Sequence, residues 1–419
     1  MRGPAKKYRR ALRDEQEWPG THDATWEEGI TSLHLSLTTA CNLRCSYCCQ
    51  RRGRPRRMEW ATLRRAVDWG LHAGRPDLKL VLTGGEPLLA WPLIRRAVTY
   101  ARERSGRRWP MKYVLLTNGL LLSEAVLGFL IDNRFEVQLS FDGIPAAQDL
   151  RAKDSFPFLD RLLDHLRRRH RSFYQRRVSV ASTVVPRTVS RLADSFAYFL
   201  RKGVSSLAFT PTLASSNGWN PARIAELEEQ YARICQMSVE HFRKCGRIPL
   251  LDYRGGPTPR RLPSPSRAMC GVMHGLTPAL DVDGEVYGCS MLIGQALLGK
   301  NPWLRKELRR LRIGNLRDPV LFERLEKFGD TARASRFLTR KKDKYSSYGR
   351  CRACPVIGVC GVCPVSIGLR RGNMDPDRIP DFNCAFVQVT WRTRQRFLRE
   401  SGAGHKRPAA GAGGRRNRT

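Results

Sequence analysis

Four cysteines crowd into nine residues at Cys41, Cys45, Cys48 and Cys49, and seven more lie between Cys270 and Cys384. Between these groups the chain carries only Cys235 and Cys245, so thirteen cysteines fall into two clusters with a cysteine-free stretch after Cys49. Core cysteines would be scattered. Clustered thiols instead bind metal or form disulfides, and the compartment decides which. The first thirteen residues are basic, with no apolar segment behind them, so no secretory signal is read. No apolar run approaches the ~20 residues of a membrane helix. A reducing, cytoplasmic compartment is therefore expected, and with it metal-bound rather than paired cysteines.

Between the clusters, strand-like and helix-like patterns alternate. Period-two or β-rich runs occur at 33–38, 79–83, 113–117, 137–141, 178–185 and 206–210. Helical periodicity fills 59–73, 93–104, 123–133, 158–170, 189–202 and 221–244, with Ser123 as an N-cap and Pro221 as a first helical residue. Six β-then-α units predict an α/β fold with a parallel sheet, either an open barrel or a doubly wound sheet. Such sheets carry their sites at the strand carboxyl ends. After residue 246 the alternation stops. A Gly/Pro/Ser/Arg stretch at 255–265 is followed by one hairpin pattern on Asp283-Gly284 and by long loops with paired cysteines, which need bound metal to fold. The expected organisation is a basic extension (1–30), a barrel core (31–245), a cysteine-rich domain (246–395) and a basic, Gly/Ala/Arg-rich disordered tail (396–419).

Cys41-x3-Cys45-x2-Cys48 follows the first predicted strand. Three thiolates in eight residues can grip one zinc or one face of an iron–sulfur cube, and a cube held by three ligands keeps an open iron. The spacing, with Tyr47 just before the third cysteine, resembles the radical S-adenosylmethionine (SAM) superfamily. The resemblance implies that Cys41, Cys45 and Cys48 ligate a [4Fe–4S] cluster whose open iron chelates S-adenosylmethionine and cleaves it to a 5′-deoxyadenosyl radical. Gly84-Gly85-Glu86-Pro87, Asn118, and Ser140 with Asp142 fall where that family contacts the cofactor, with Arg151 as the candidate for its carboxylate. A partial (β/α)6 barrel is the fold this implies. Cys49 has no place in the motif.

The later cysteines run Cys270, Cys289, then Cys351-x2-Cys354-x5-Cys360-x2-Cys363, and Cys384. Seven ligands exceed what one zinc or one cube takes. A zinc ribbon would use Cys351, Cys354, Cys360 and Cys363 and leave three unexplained. The arrangement resembles the SPASM extension, which holds two auxiliary four-iron clusters. That resemblance implies an outer cluster on Cys351, Cys354, Cys360 and Cys384. It implies an inner one on Cys270, Cys289 and Cys363, with an open iron or a ligand such as His274. Two departures stand out. The pair Cys360 and Cys363 is one residue closer than usual, and Ser290 stands where sulfatase maturases carry an Asp as base, which argues against sulfatase maturation.

Such enzymes act mostly on ribosomally made peptides or proteins. The resemblance therefore implies an oxidative crosslink or related C–H functionalisation of a peptide or protein, with a reductant such as flavodoxin or ferredoxin. Only about thirty residues precede the first strand, so a leader-binding domain is expected to be absent or separately encoded. Lys and Arg total 75 against 38 Asp and Glu, a formal charge of +37. The basic runs at 51–57, 167–171, 305–312 and 340–344 read as solvated faces, or as a surface that steers an acidic peptide leader. No nucleic-acid fold or aromatic-interleaved basic motif is found, so nucleic acid is not an expected partner. Two other readings stay open. One is a small-molecule or haem-pathway enzyme of the same superfamily, and the other is a zinc-dependent nucleic-acid-binding protein. Cys235 and Cys245 read as ordinary thiols.

Overall fold

The computed structural model describes residues 29–48, 50, 53–105, 111–212, 218–254, 277–293, 306, 309–328, 341–358, 360–363, 366–367 and 373–403. Cys49, Cys270 and His274 lie outside them, as do much of the extension and tail and parts of the basic runs.

Six strands form the parallel sheet that the alternation predicts: β1 (Ile30–Ser36), β2 (Gly74–Thr83), β3 (Lys112–Thr117), β4 (Glu136–Ser140), β5 (Val178–Val184) and β6 (Leu207–Pro211). They pair in sequence order, each parallel to the next. Helices α1 (Trp60–Ala73), α2 (Trp91–Ser105), α3 (Glu124–Asp132), α4 (Phe156–Arg169) and α5 (Leu192–Arg201) alternate with them, and α6 (Pro221–Cys245) follows β6. The Ser123 hydroxyl accepts from the Val126 amide to cap α3, and Asn220 caps α6 ahead of Pro221. These local signals act as the sequence requires.

The strands have two unequal faces. Leu33 and Leu35, Leu80 and Leu82, Leu115, Val137 and Leu139, and Val178 and Val180 are buried in the main core. Each such side chain contributes ~1.5–3 kcal/mol on burial. The alternate positions Leu116, Gln138, Ser140, Ala181 and Thr183 are only half-buried. A parallel sheet is normally covered on both faces. Here the second face stays open, which is how a partial barrel leaves room for a ligand inside.

The sheet does not stop at β6. Strand β7 (Ala279–Leu280) pairs parallel with β1, and β8 (Glu285–Tyr287) and β9 (Arg312–Asn315) continue antiparallel, giving order β6-β5-β4-β3-β2-β1-β7-β8-β9. The Asp283-Gly284 turn forms as read, with Gly284 at φ +82°, yet its hairpin extends the barrel sheet rather than standing alone. Helix α7 (Asp381–Ser401) returns along α6. Trp219 stacks on Phe382 at 3.6 Å between ring centroids, Tyr231 meets Phe386, and Phe242 meets Phe397. Fully buried Phe397 carries this helix to Ser401, past residue 395 where the tail was expected to begin. Cys235 is fully buried and donates to the Thr393 carbonyl at 3.3 Å, a packing role as expected.

Candidate functional site

The cysteine loop lies over the carboxyl ends of β1 to β4 and is tied down along its length. Thr38 and Arg57 bridge its two ends. The Gly85 and Glu86 amides donate to the carbonyls of Thr38 and Ala40 at 2.7 and 2.8 Å. This contact explains both glycines. A Cβ on Gly84, at φ +144°, would sit 2.4 Å from the Thr38 carbonyl oxygen, and one on Gly85 would sit 2.1 Å from that of Ala40. Further along, the Ser46 amide and hydroxyl both donate to the Leu150 carbonyl at 2.9 Å.

The Glu86 carboxylate points into the core. It accepts from the Leu88 amide, the Thr117 hydroxyl (2.8 Å) and the Asn118 amide (2.8 Å). Burial raises its pKa and these three donors work against that rise. Glu86 is thus a strut between the glycine turn and the end of β3, and Pro87 opens the 3-10 turn Pro87–Ala90 behind it. Asn118, the next residue, donates to the Asn42 side chain at 2.8 Å, which joins β3 to the residue after Cys41.

A second knot lies at the end of β4. Asp142, buried, accepts from Arg151 through both carboxylate oxygens (2.9 and 3.2 Å), from the Thr183 amide (2.8 Å), and from the Tyr47 hydroxyl. Arg151 also lies over the Tyr47 ring, 5.4 Å from its centroid. Burial would lower the Arg151 pKa, but the charge of Asp142 and the Tyr47 contact outweigh it and hold the guanidinium charged. Tyr47 is thereby clamped between the cysteine loop and the barrel. Gln148, fully buried, accepts from the Asp142 amide and donates to Ser155, so it completes this knot. Ser140 stands half-buried at the end of β4 with its neighbour Ala181 on β5.

Cys41 and Cys48 are exposed and Cys45 is half-buried. Burial pushes the Cys45 thiol up to about 11. The Arg151 charge opposes this, and the charges of Cys48 and Cys41 add to it, so the three sulfurs feel one another. Three thiols on one loop at the barrel mouth, with the Arg151 charge favouring the thiolate at Cys45, fit a thiolate-bound inorganic centre. The glycine turn that no Cβ could enter fits the same loop placement.

In the C-terminal region, Cys351, Cys354, Cys360 and Cys384 line one small cavity with Lys341 and Gln388. Burial, and then the charges of Cys360, Cys384 and Cys354, push Cys351 up to about 12. Cys289 lies near Cys363, burial raising it to about 11 with the Cys363 charge adding. The zinc-ribbon quartet does not assemble as such, because Cys384 takes the fourth place in the cavity and Cys363 sits by Cys289. Gln388 and Ser346 each direct a donor at the Cys384 sulfur, at 3.2 and 3.3 Å.

Sequence reasoning missed several of these partners. Lys341 and Lys344 belong to a basic run read as a solvated face, yet both are buried. Lys341 donates to the Cys360 carbonyl at 2.9 Å, and Lys344 donates to the Pro376 carbonyl and lies 3.6 Å from Asp377. Arg56 and Arg57 are also engaged, with Asp283 and the Leu89 carbonyl. Charge density in the sequence hid these roles; only their position within a cysteine-spaced segment hinted at them. Asn42 and Thr183 carried no spacing signal at all.

Residues 35–199 match the Radical SAM superfamily. An uncharacterized protein of Methanocaldococcus jannaschii is 28% identical over 278 residues, covering 65% of this chain and 89% of its own. The cysteine-type anaerobic sulfatase-maturating enzyme of Clostridium perfringens is 22% identical over 352 residues, 79% of this chain and 87% of that one. Among solved structures, native anSMEcpe with bound AdoMet and the Kp18Cys peptide shares the fold at TM-score 0.67 and 18% identity. It covers 89% of this chain and 99% of its own. Streptococcus suis SuiB bound to precursor peptide SuiA does so at TM-score 0.56 and 11% identity, over 91% and 86% of the two chains. The fold, the order of the strand-end motifs and this match agree: residues 35–199 form a radical SAM domain, and the protein is an enzyme built on it, in a superfamily whose cofactors are a [4Fe–4S] cluster and S-adenosylmethionine.

Proposed function

We propose that this enzyme oxidatively modifies a ribosomally made peptide or protein, using one SAM-binding cluster in the barrel and two auxiliary clusters in the C-terminal region. The observation that carries the reading is the convergence of Cys351, Cys354, Cys360 and Cys384 on one cavity beside a buried lysine, with Cys289 and Cys363 adjacent. Two cysteine centres besides Cys41, Cys45 and Cys48 give the protein a place for the electron left over when a substrate radical closes a bond. The relatives support it too, because SuiB and anSMEcpe are recorded with bound peptides. Ser290, which follows Cys289, carries no carboxylate and argues for a substrate other than a sulfatase.

In this reading Cys41, Cys45 and Cys48 ligate the first cluster. The backbone of Gly84 and Gly85, with Asn118 and Ser140, lines the cofactor's bed. When bound, the cluster and S-adenosylmethionine supply a 5′-deoxyadenosyl radical that removes a hydrogen atom from a strong C–H bond. Glu86, Asp142 and Arg151 hold the bed rigid, since their charged atoms are already engaged with the protein. Tyr47, locked by Asp142 and Arg151, keeps Cys48 oriented. The open sheet face receives the substrate, which on binding covers that face and displaces water from it. Cys351, Cys354, Cys360 and Cys384 hold the outer auxiliary cluster, and Cys289 and Cys363, with Cys270, the inner one. The electron source is a small reductant protein of the flavodoxin or ferredoxin type, and the basic surplus suits an acidic peptide leader.

The test is anaerobic purification followed by iron and sulfide analysis, and then incubation with S-adenosylmethionine, reductant and the short peptides encoded beside this gene. About twelve irons, four for each of three cubes, and a peptide lighter by two hydrogens are expected. About four irons, or a small-molecule product with no change in any peptide, would refute the reading.

A further inference from the structure

Away from the cysteines, the described residues bring one more set of ligand-type side chains together. Glu124 is the first residue of α3, His165 lies near the end of α4, and His170 caps that helix's C-terminus. One donor atom from each lies within 4.8 Å of the other two. The carboxylate divides between the rings: Oε1 abuts His165 Nε2, and Oε2 is 3.3 Å from His170 Nε2. The two imidazoles meet edge to face, 5.5 Å between centroids.

The informative atom is His165 Nε2. It is closed to solvent and, although Glu124 Oε1 abuts it, it makes no hydrogen bond of acceptable geometry. A protonated ring would aim its N–H at the oxygen, and a neutral ring with its lone pair there would repel it. A cation shared by nitrogen and oxygen lone pairs removes both objections.

We propose that Glu124, His165 and His170 bind a divalent metal ion of the zinc class, through two imidazole nitrogens and one carboxylate, with water completing the shell. Zinc takes such donors at about 2.0–2.2 Å, so two donors on one ion stand at most about 4.4 Å apart. The Glu124–His170 separation lies inside that limit. Imidazole and carboxylate also suit cobalt and nickel, whereas magnesium and calcium prefer oxygen alone. The neighbouring arginines do not fill the position. Arg167 leans on Asp164 at 3.4 Å, and Arg168, Arg169 and Arg171 are exposed, where solvent screens them. The bound ion would clip the start of α3 to the end of α4, a structural staple on the outer helices that takes no part in the radical reaction.

The test uses the cluster-loaded chain, so that the cysteines are already occupied. It is dialysed anaerobically against micromolar zinc chloride and analysed for zinc, beside Glu124→Gln and His170→Ala. One zinc equivalent in the wild type that both variants lack, with a zinc-dependent rise in Tm only in the wild type, is the expected result. Because Glu124 is exposed, Glu124→Gln keeps the fold and so keeps the comparison valid. Equal zinc content in all three proteins, or a crystal of the zinc-treated enzyme with no zinc-edge anomalous peak among these side chains, would overturn the site.

Discussion

In the barrel, the cysteine loop is held by hydrogen bonds that need no metal. Backbone amides of Gly85 and Glu86 grip Thr38 and Ala40, Ser46 grips Leu150, and Tyr47 is clamped by Asp142 and Arg151. In the C-terminal region the cysteines sit among two- to four-residue strands and 3-10 turns, with Cys384 in the first turn of α7. There the holding groups are buried charges, Lys341 on the Cys360 carbonyl and Lys344 by Asp377, together with the neutral Asn373 amide on three carbonyls. A buried charge without its counter-ion is costly. The first site is therefore preorganised by the fold. The second is completed by the thiolates it gathers, so loss of a ligand should damage chemistry in one place and structure in the other.

The sharpest way to break this contrast is Cys45→Ala. It should reduce 5′-deoxyadenosine formation, read by chromatography, to background, while iron in the later centres and the Tm hardly change. A large fall in Tm would show that the barrel loop, too, depends on its cluster. Next comes Cys354→Ala, which should remove about four irons, lower the Tm and abolish modified peptide, yet leave uncoupled cofactor cleavage measurable. An unchanged iron content would remove Cys354 from the ligand set.

A matched pair of glycines probes the same difference in backbone packing. Gly85→Ala puts a Cβ 2.1 Å from a carbonyl and should cost about 3 kcal/mol in urea unfolding, whereas Gly361→Ala, with open space around it, should cost under about 0.5 kcal/mol. Equal costs would mean that the barrel loop yields as readily as the later one.

His34 on β1 is a titration probe at the seam between the regions, since it pairs with Ala279 of β7. Burial lowers its pKa to about 4 from 6.5. The unfolded chain then binds the proton that the folded chain refuses, so stability is fully present above pH 6.5 and is lost as pH falls toward 4. Between pH 7 and pH 5 the wild type should lose about 2 kcal/mol more than His34→Asn, by urea midpoints at the two pH values. Parallel losses would show the imidazole to be solvated. The smallest effect belongs to Lys341→Met, which removes a buried positive charge beside Cys351, Cys354 and Cys360. The potential of that cluster should move negative in an electrochemical titration, with iron content retained. A potential that stays put would separate the lysine from the cluster electrostatically.

Much of the barrel was legible because its signals are local. Leu33 and Leu35 on β1, the Ser123 cap, Pro221 after Asn220, and the Asp283-Gly284 turn each act within a few residues of where they are read. The double glycine at 84–85 entered only through the resemblance, and its packing on the carbonyls of Thr38 and Ala40 was not legible in the sequence. The C-terminal region was legible only as cysteine spacing. Its folding information lies in long-range polar pairs such as Lys344 with Asp377 and in burial that reverses the meaning of a basic run.

By itself the sequence determined the βα alternation, the strand-end placement of Cys41, Cys45 and Cys48, and the existence of two cysteine groups. Hydrophobic period, turn chemistry and ligand spacing are properties of neighbouring residues. Only the tertiary structure decided which thiols share a cavity, that Glu86 and Asp142 spend their charge on the protein, that β7 adds to the barrel sheet, and that Glu124 meets two histidines. Those outcomes depend on which distant side chains are desolvated together, and burial of a charge is priced by the whole fold rather than by its neighbours in the chain.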